Sequence, residues 1–324
     1  DVEYRLNQLV QEIEGRPKES EEPTRSKGHT NLEAPSKHTS SQTLSGPVFK
    51  LLDPGSEPRK ALRLHAKAGD KQTVVIKVKI DMSMDIPGAG APNANAIPSI
   101  PPLSIPADVT VQNVAPSGDI TYEMIFEEPE IGADSGASPQ MAQTIKTALS
   151  GFKGLSATGT ISDRGVSKNV DVKVPADANP QVRQTLSQMK ESMMNMGSLL
   201  PSEPIGTGAK WEVKMPVKSS GLTVDQTTDY QLASVDGDHV STTFTQTQSA
   251  ANQKMQNPAM GAIQMNVLQM TNNMTGSVAS DLSKLMPLQA TMDSHLELNA
   301  EVNAAGKKQA MDMKMGMNIT LEAH

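Results

Sequence analysis

The sequence contains no cysteine. This absence excludes disulfide bonds, thiolate zinc sites and cysteine nucleophiles. Aromatic residues make up only 2% of the 324 residues, so the large rigid side chains that usually dominate a protein core are scarce. Methionine occurs 20 times and must fill much of that volume, which predicts a soft and adaptable interior.

Basic charge and long apolar runs are also lacking. The net charge is −7 and both signs are mixed along the chain, so no basic field favours nucleic acid or anionic lipid headgroups as partners. No uninterrupted apolar run approaches the length of a membrane-spanning helix, which predicts that the chain has no transmembrane segment. The chain begins at Asp1, and removal of a signal peptide is one explanation of this start.

Residues 1–58 are predicted to form an N-terminal arm. Residues 4–14 carry apolar side chains at helical spacing, which allows a short amphipathic helix. From Gly15 to about Ser45 the chain is rich in Ser, Thr, Pro, Glu and Lys, and it has almost no apolar residues to offset the entropy of ordering. This composition predicts disorder in the isolated protein. Two interpretations fit this composition equally well: a tail without a partner, and an arm that binds a partner protein.

Residues 59–324 are predicted to form one β-rich domain. Alternating apolar residues indicate hairpins that turn at 69–70, 116–119 and 163–165, and further strands after residue 201. Residues 87–108 contain too many prolines and glycines for a ladder and are predicted to be a loop. Stripes of apolar residues predict two amphipathic helices, near 139–150 and 180–200. The predicted fold is α+β, mostly β: a curved, half-barrel-like antiparallel sheet of roughly eight to eleven strands that packs on these helices.

A row of methionines near the C-terminus is the most distinctive pattern. In residues 309–323 the apolar side chains occupy every second position, so they share one face of a predicted strand. Three interpretations stay open: ordinary core, a lining for an apolar ligand or lipid, and a soft site for copper(I). The candidate face comprises Met82, Met84, Met189, Met193, Met196, Met311, Met313, Met315 and Met317.

The sequence carries no recognisable catalytic pattern. The six histidines do not lie at ligand spacing on a common element, and no nucleophile elbow or dinucleotide-binding loop is present. Acidic residues are dispersed over turns and exposed strand positions. The sequence therefore predicts a protein without cofactor, metal centre or catalytic residues, with a hydrolase as the remaining enzymatic alternative.

One segment resembles a known family. Pro201, Pro204, Ile205, Gly206, Gly208 and Trp211 form the pattern P-x-x-P-[VI]-G-x-G-x-x-W, and a Y-x-L strand follows at 230–232. Over about residues 140–245 the chain resembles an uncharacterised family of predicted exported bacterial proteins. The resemblance implies a location in the bacterial cell envelope, periplasmic or extracellular, and it supplies no activity. Here Gly206, Gly208 and Trp211 are interpreted as a structural anchor at one end of the sheet.

The predicted half-barrel is also similar in fold to the lipoprotein carriers of the bacterial envelope, although such a carrier with a lipidated N-terminus would begin with Cys. The sequence thus favours a non-catalytic envelope module that binds an apolar ligand or a partner surface. The alternative is a structural accessory subunit of a larger envelope assembly, held by its N-terminal arm. Copper(I) binding is the third and least favoured function.

Overall fold

The computed structural model describes residues 46–85, 100–132, 153–173, 199–219, 221–255, 264–304 and 307–324, and single residues at 143, 145, 146, 149 and 190. Thirteen strands are found in this described part of the chain. They are β1 (Val48–Asp53), β2 (Lys71–Asp85), β3 (Leu103–Val114), β4 (Ile120–Phe126), β5 (Glu130–Ile131), β6 (Ser156–Ile161), β7 (Ser167–Val172), β8 (Lys210–Ser219), β9 (Leu222–Asp236), β10 (His239–Met255), β11 (Gln264–Asp281), β12 (Gln289–Ala304) and β13 (Lys307–Ala323).

All thirteen strands belong to one antiparallel sheet. Its order is β1-β8-β9-β10-β11-β12-β13-β2-β3-β4-β6-β7, and the two-residue β5 pairs with β3. From β8 to β13 each strand pairs with the next one in the chain, as expected for a meander of hairpins. Within the described residues β1 and β7 do not pair with each other, so the sheet is open. The mostly β, antiparallel part of the predicted fold is confirmed.

The two ends of this strand order nevertheless come close together. The guanidinium of Arg164, on the turn between β6 and β7, lies 4.3 Å from the ring centroid of Phe49 on β1. Arg164 also donates from Nε to the carbonyl oxygen of Leu200 at 2.9 Å. Because β1 and β7 are at opposite ends of the strand order, these contacts require the sheet to curl.

Residues 60–66 cross one end of the curled sheet. Lys60 pairs with Ile205, Leu64 donates its N–H to the carbonyl of Asp163, and His65 donates to that of Leu282. These partners lie on three separate loops, so the segment is extended without belonging to a ladder. This corrects the predicted hairpin: the turn at 69–70 and the strand after it are present, but 61–67 is not a strand. The alternation of Leu62, Leu64 and Ala66 reflects packing under the sheet end.

Three hydrophobic clusters form the core, all on one side of the sheet. The N-terminal cluster joins β2, β3, β4, β6 and β7, the tryptophan cluster lies under β1, β8 and β9, and the distal cluster joins β8 to β13 at the other end of the long strands. Representative buried members are Val74, Val109, Ile120 and Val170 in the first, Leu62, Ile205, Trp211 and Leu232 in the second, and Val224, Val267, Met270, Leu298 and Met311 in the third.

Two predicted boundaries need correction. Residues 48–53, assigned above to the N-terminal arm, form β1 at one edge of the sheet, because Phe49 and Leu51 pack into the tryptophan cluster. Residues 103–108, assigned to the proline-rich loop, form the first half of β3. Pro106 is tolerated there, and its carbonyl accepts a hydrogen bond from the N–H of Glu127.

The two predicted helices fall almost entirely outside the described residues. The structure describes only four single residues within 139–150, and only residues 190, 199 and 200 within 180–200. No complete helix is present in the described part of the chain. Packing of the sheet on these helices therefore stays a prediction. The predicted arm up to residue 45 and most of the loop, residues 86–99, also lie outside the described residues.

Candidate ligand-binding face

The inner face of the long strands is the side that points towards the three clusters. It is formed by even positions 222–232 of β9, 240–250 of β10, 270–278 of β11, 290–300 of β12 and 72–82 of β2, and by odd positions 309–323 of β13. None of these positions carries Lys, Arg, Asp or Glu, although charged residues make up 20% of the chain. Charged residues of these strands, such as Lys77, Lys79 and Asp81, lie on the outer face.

The predicted methionine row lies on this inner face. Met311 is 4% exposed and packs in the distal cluster, whereas Met313, Met315 and Met317 are only half-buried. On the neighbouring strand β2, Met82 lies opposite Met315 and is half-buried as well.

Four further predicted methionines can be placed only in part. Met84 lies opposite Met313 in the ladder, and its side chain is outside the described part of the structure. Met189, Met193 and Met196 are outside the described residues altogether, so their contact with the row stays a prediction.

We call the half-buried part of this face the methionine section. It lies between the distal cluster and the N-terminal cluster, on three neighbouring strands. The buried members of the clusters are 0–8% exposed, but every member of the section keeps an intermediate exposure, including Leu296 and Met313, which also pack against the distal cluster. The section comprises Val78, Ile80 and Met82 of β2, Met313, Met315, Met317 and Ile319 of β13, and Met292 and Leu296 of β12.

A row of polar side chains continues the same inner face on the other side of the section. The hydroxyl of Ser294 donates to Oδ1 of Asn272 at 2.8 Å, Nδ2 of Asn272 donates to Oε1 of Gln248 at 3.1 Å, and Nε2 of Gln248 donates to Oε1 of Gln226 at 2.8 Å. This chain of hydrogen bonds crosses four strands. Ser294 is 1%, Gln226 7% and Asn272 8% exposed, so the chain is a buried polar network inside an apolar face.

A second polar pair lies beside this chain. Thr228, 1% exposed, donates from its hydroxyl to Oε1 of Gln246 at 2.9 Å. Among the described residues, Nε2 of Gln246 has only the thioether sulfur of Met274 as its acceptor, at 3.7 Å. A thioether is a weak acceptor, so this amide donor is poorly satisfied. We call the six residues Gln226, Thr228, Gln246, Gln248, Asn272 and Ser294 the polar belt.

The polar belt and the methionine section share the same cross-strand rows. One row runs through residues 226, 248, 272, 296, 315 and 82, and the next through 228, 246, 274, 294, 317 and 80. Strands lie about 4.8 Å apart, so the belt extends over about 14 Å from β9 to β12 and the section over about 10 Å from β12 to β2. The inner face is therefore polar at one side and apolar at the other.

The belt was not predicted from the sequence, and its signal is weak. Segments such as "DQTTDYQL", "TTFTQTQS" and "MTNNMTG" carry polar residues on both faces of their strands, so alternation does not distinguish inner from outer amides. The useful signal is that, along these segments, uncharged polar residues occupy one set of alternate positions and all the charged residues occupy the other set.

Aromatic side chains border the belt on its other side. Trp211, 1% exposed, stacks on Tyr230 with ring centroids 5.3 Å apart, and Tyr230 contacts Phe244 at 6.0 Å. The indole N–H donates to the carbonyl of Leu199 at 2.8 Å. Burial raises the pKa of Tyr230 to about 12.

The two glycines of the predicted anchor are used differently. Gly208 has φ +86°, a conformation that other residues rarely adopt. Gly206 instead lies against the backbone of residues 56–58, because a Cβ placed on it would be 1.8 Å from the carbonyl oxygen of Ser56. Together they form the turn that leads into β8 and Trp211.

Two carboxyl groups with lowered pKa values lie away from the inner face. The side-chain hydrogen bond from Lys168, with the two groups 2.6 Å apart, lowers the pKa of Asp119. A side-chain hydrogen bond from Ser283 lowers the pKa of Asp281. Both are local contacts at strand ends. Within the described residues no cluster of three or more His, Cys, Asp or Glu residues could hold a metal ion, and no helix is long and apolar enough to span a membrane.

Comparison with known proteins adds one match. Residues 176–287 match DUF6263, a family of unknown function. No curated protein matches the chain. The matched segment contains all of β8 to β11 and hence Trp211 and five of the six belt residues, whereas the methionine section on β2, β12 and β13 lies outside it.

Proposed function

We propose that this protein is a non-catalytic binding module of the bacterial cell envelope, periplasmic or exported, whose inner sheet face takes up an apolar ligand. The proposal rests on the half-buried methionine section. If this sheet face served only as core, we would expect its side chains to be as deeply buried as the buried members of the three clusters. Nine neighbouring apolar side chains with intermediate exposure instead resemble the lining of an apolar binding site.

Methionine suits such a lining. Its side chain is unbranched and polarisable, and it repacks around varied shapes at little cost. The absence of charge from the inner face supports the same function, because an apolar ligand would otherwise leave an ion without solvent or partner. The envelope location rests on the resemblance of the Pro201–Trp211 segment to predicted exported proteins.

A structural accessory subunit of a larger envelope assembly is a second candidate, favoured by the edge strand β1. Val48 and Leu52 on this strand are 62% and 52% exposed, and in the described residues β1 pairs only with β8. An exposed strand edge with apolar side chains is a surface on which another chain can pair.

The first experiment is native mass spectrometry of the protein purified from its own source, with lipid extraction and metal analysis of the same sample. Co-purifying lipid supports the proposed function, stoichiometric copper supports the metal site, and large bound subunits support the accessory role.

A binding assay with a neutral apolar fluorophore, N-phenyl-1-naphthylamine, tests the face itself. Met315→Gln keeps the length of an unbranched side chain but makes the section polar, so we expect a several-fold higher Kd for the fluorophore. Lys314→Gln changes the adjacent outer-face residue and is the matched control. Absence of fluorophore binding, together with absence of co-purified lipid, would refute the proposal.

A further inference from the structure

We infer that the ligand is an amphiphile with an uncharged, hydrogen-bonding headgroup, such as a glycerol ester or a long-chain alcohol. Its headgroup contacts the half-buried Gln246 of the polar belt and its chain lies on the methionine section. This inference rests on the proposed function and adds the chemical class of the ligand.

The arrangement of the inner face carries the inference. In the row through Thr228, Gln246, Met274, Ser294 and Met317, the polar and the apolar positions occupy neighbouring strands of one continuous ladder. A headgroup on β10 or β11 therefore has an apolar surface two to three strands away, about 10 to 14 Å along the row. A purely apolar ligand would have no use for the belt.

The chemistry of the belt selects a neutral headgroup. Amide and hydroxyl groups offer both donors and acceptors, so they can bind an alcohol or an ester. The inner-face positions of β2 and β9–β13 carry no cation to pair with a carboxylate or phosphate and no anion to pair with an ammonium group. Burial of an unpaired ion on this face is strongly unfavourable.

Gln246 is the residue that we assign to the headgroup. It is half-buried, and within the described part of the chain its amide N–H reaches only the sulfur of Met274, at 3.7 Å. A ligand oxygen is a much better acceptor than a thioether, so binding would replace a weak hydrogen bond by a strong one. The carbonyl oxygen of the same amide still accepts the hydrogen bond from the Thr228 hydroxyl.

The test measures displacement of N-phenyl-1-naphthylamine by a monoacylglycerol and by the fatty acid of the same chain length, at a pH where the carboxyl group is ionised. We expect the monoacylglycerol to compete at a concentration at least about tenfold lower, the factor that one hydrogen bond supplies. Equal or better competition by the fatty acid would overturn the inference.

The variant Gln246→Met keeps the length of the side chain and removes the amide. It should weaken monoacylglycerol binding about tenfold more than it changes fluorophore binding, because the fluorophore is bound by the methionine section. Gln231→Met, on the exposed outer face of β9, is the matched control and should change neither. A Gln246→Met protein that is folded and binds the monoacylglycerol normally would overturn the inference.

Gln246→Met leaves the buried Thr228 hydroxyl without its acceptor, so the double variant Thr228→Val/Gln246→Met is included. It removes both partners and should bind like Gln246→Met. Failure of the fluorophore to bind the wild-type protein would be a different result, because it would refute the proposed function and not only the headgroup chemistry.

Discussion

Replacement of Asn272 in the polar belt by leucine should reveal how strongly the members of the belt are coupled. Asn272→Leu removes the acceptor of the Ser294 hydroxyl and a donor to Gln248. An unsatisfied buried hydroxyl costs about 1–3 kcal/mol, and the half-buried Gln248 carbonyl adds about 1 kcal/mol. The additional apolar burial of leucine returns about 1–2 kcal/mol. We expect a net decrease of about 1–2 kcal/mol in the free energy of unfolding.

The decisive quantity is the effect of Ser294→Ala in two backgrounds. In the wild-type protein this change leaves Oδ1 of the buried Asn272 unpaired and should cost about 1–2 kcal/mol. In the Asn272→Leu protein it removes a hydroxyl that has already lost its acceptor, so it should be neutral or stabilising. The predicted interaction energy is therefore at least about 1 kcal/mol, well above the deviation from additivity seen for independent sites.

Urea unfolding followed by tryptophan fluorescence provides the assay. Trp211 is the only tryptophan of the chain and is 1% exposed, so its emission reports unfolding of the tryptophan cluster. Asn273→Leu changes the adjacent, exposed amide on the outer face and should shift stability by no more than about 0.5 kcal/mol. An equal cost of Ser294→Ala in both backgrounds would refute the coupled network.

Three further predictions concern the inner face and its border. Gly276→Ala should destabilise by about 1–3 kcal/mol, because its Cβ would lie 2.4 Å from the carbonyl oxygen of Thr291 and 2.5 Å from the ring of Phe244. Gly316→Ala, with its nearest contact at 3.9 Å, should be neutral or stabilising in thermal unfolding. Gly206→Ala should destabilise more than either, since its Cβ would lie only 1.8 Å from the carbonyl oxygen of Ser56. Folding raises the pKa of Tyr230 from 10.0 to about 12, so its contribution to the free energy of unfolding is fully present below pH 10 and is lost as the pH rises towards 12. In Tyr230→Phe, urea unfolding at each pH should show a loss that is smaller by up to about 2 kcal/mol.

Strands β2 and β13 could be predicted from the sequence because one face of each is nearly free of polar residues. In β2 and β13 the apolar residues recur at every second position with charged residues between them, and the structure pairs Met82 with Met315 and Met317 with Ile80 on that face. Such a pattern determines both where the strand lies in the sequence and which of its faces is turned to the core.

The remaining features depend on contacts that alternation does not encode. Leu62 and Leu64 alternate like strand residues, but their backbone bonds go to loops distant in sequence. Pro106 suggests a loop, although it is accommodated inside β3. The belt amides of β9–β11 have polar neighbours on the outer face, so no periodicity marks them. These features follow only from the register and the curl of the sheet.

The register of β9–β12 gives the polar belt a structural role that is separable from ligand binding. These strands are polar on both faces, so hydrophobicity alone specifies their register weakly. A slip of two residues would keep the faces but break the hydrogen bonds that join Gln226, Gln248, Asn272 and Ser294 across four strands. The chain of amides therefore selects one register.

Gln246 is not part of that chain. Its side-chain hydrogen bonds to described residues join it to Thr228 and the Met274 sulfur, and its loss leaves the chain from Gln226 to Ser294 intact. Substitutions in the chain should therefore lower stability, whereas Thr228→Val/Gln246→Met should lower affinity for a neutral amphiphile and change the urea midpoint little. If the stability effects of the two sets were equal and binding stayed unchanged, the whole belt would have to be assigned to the fold.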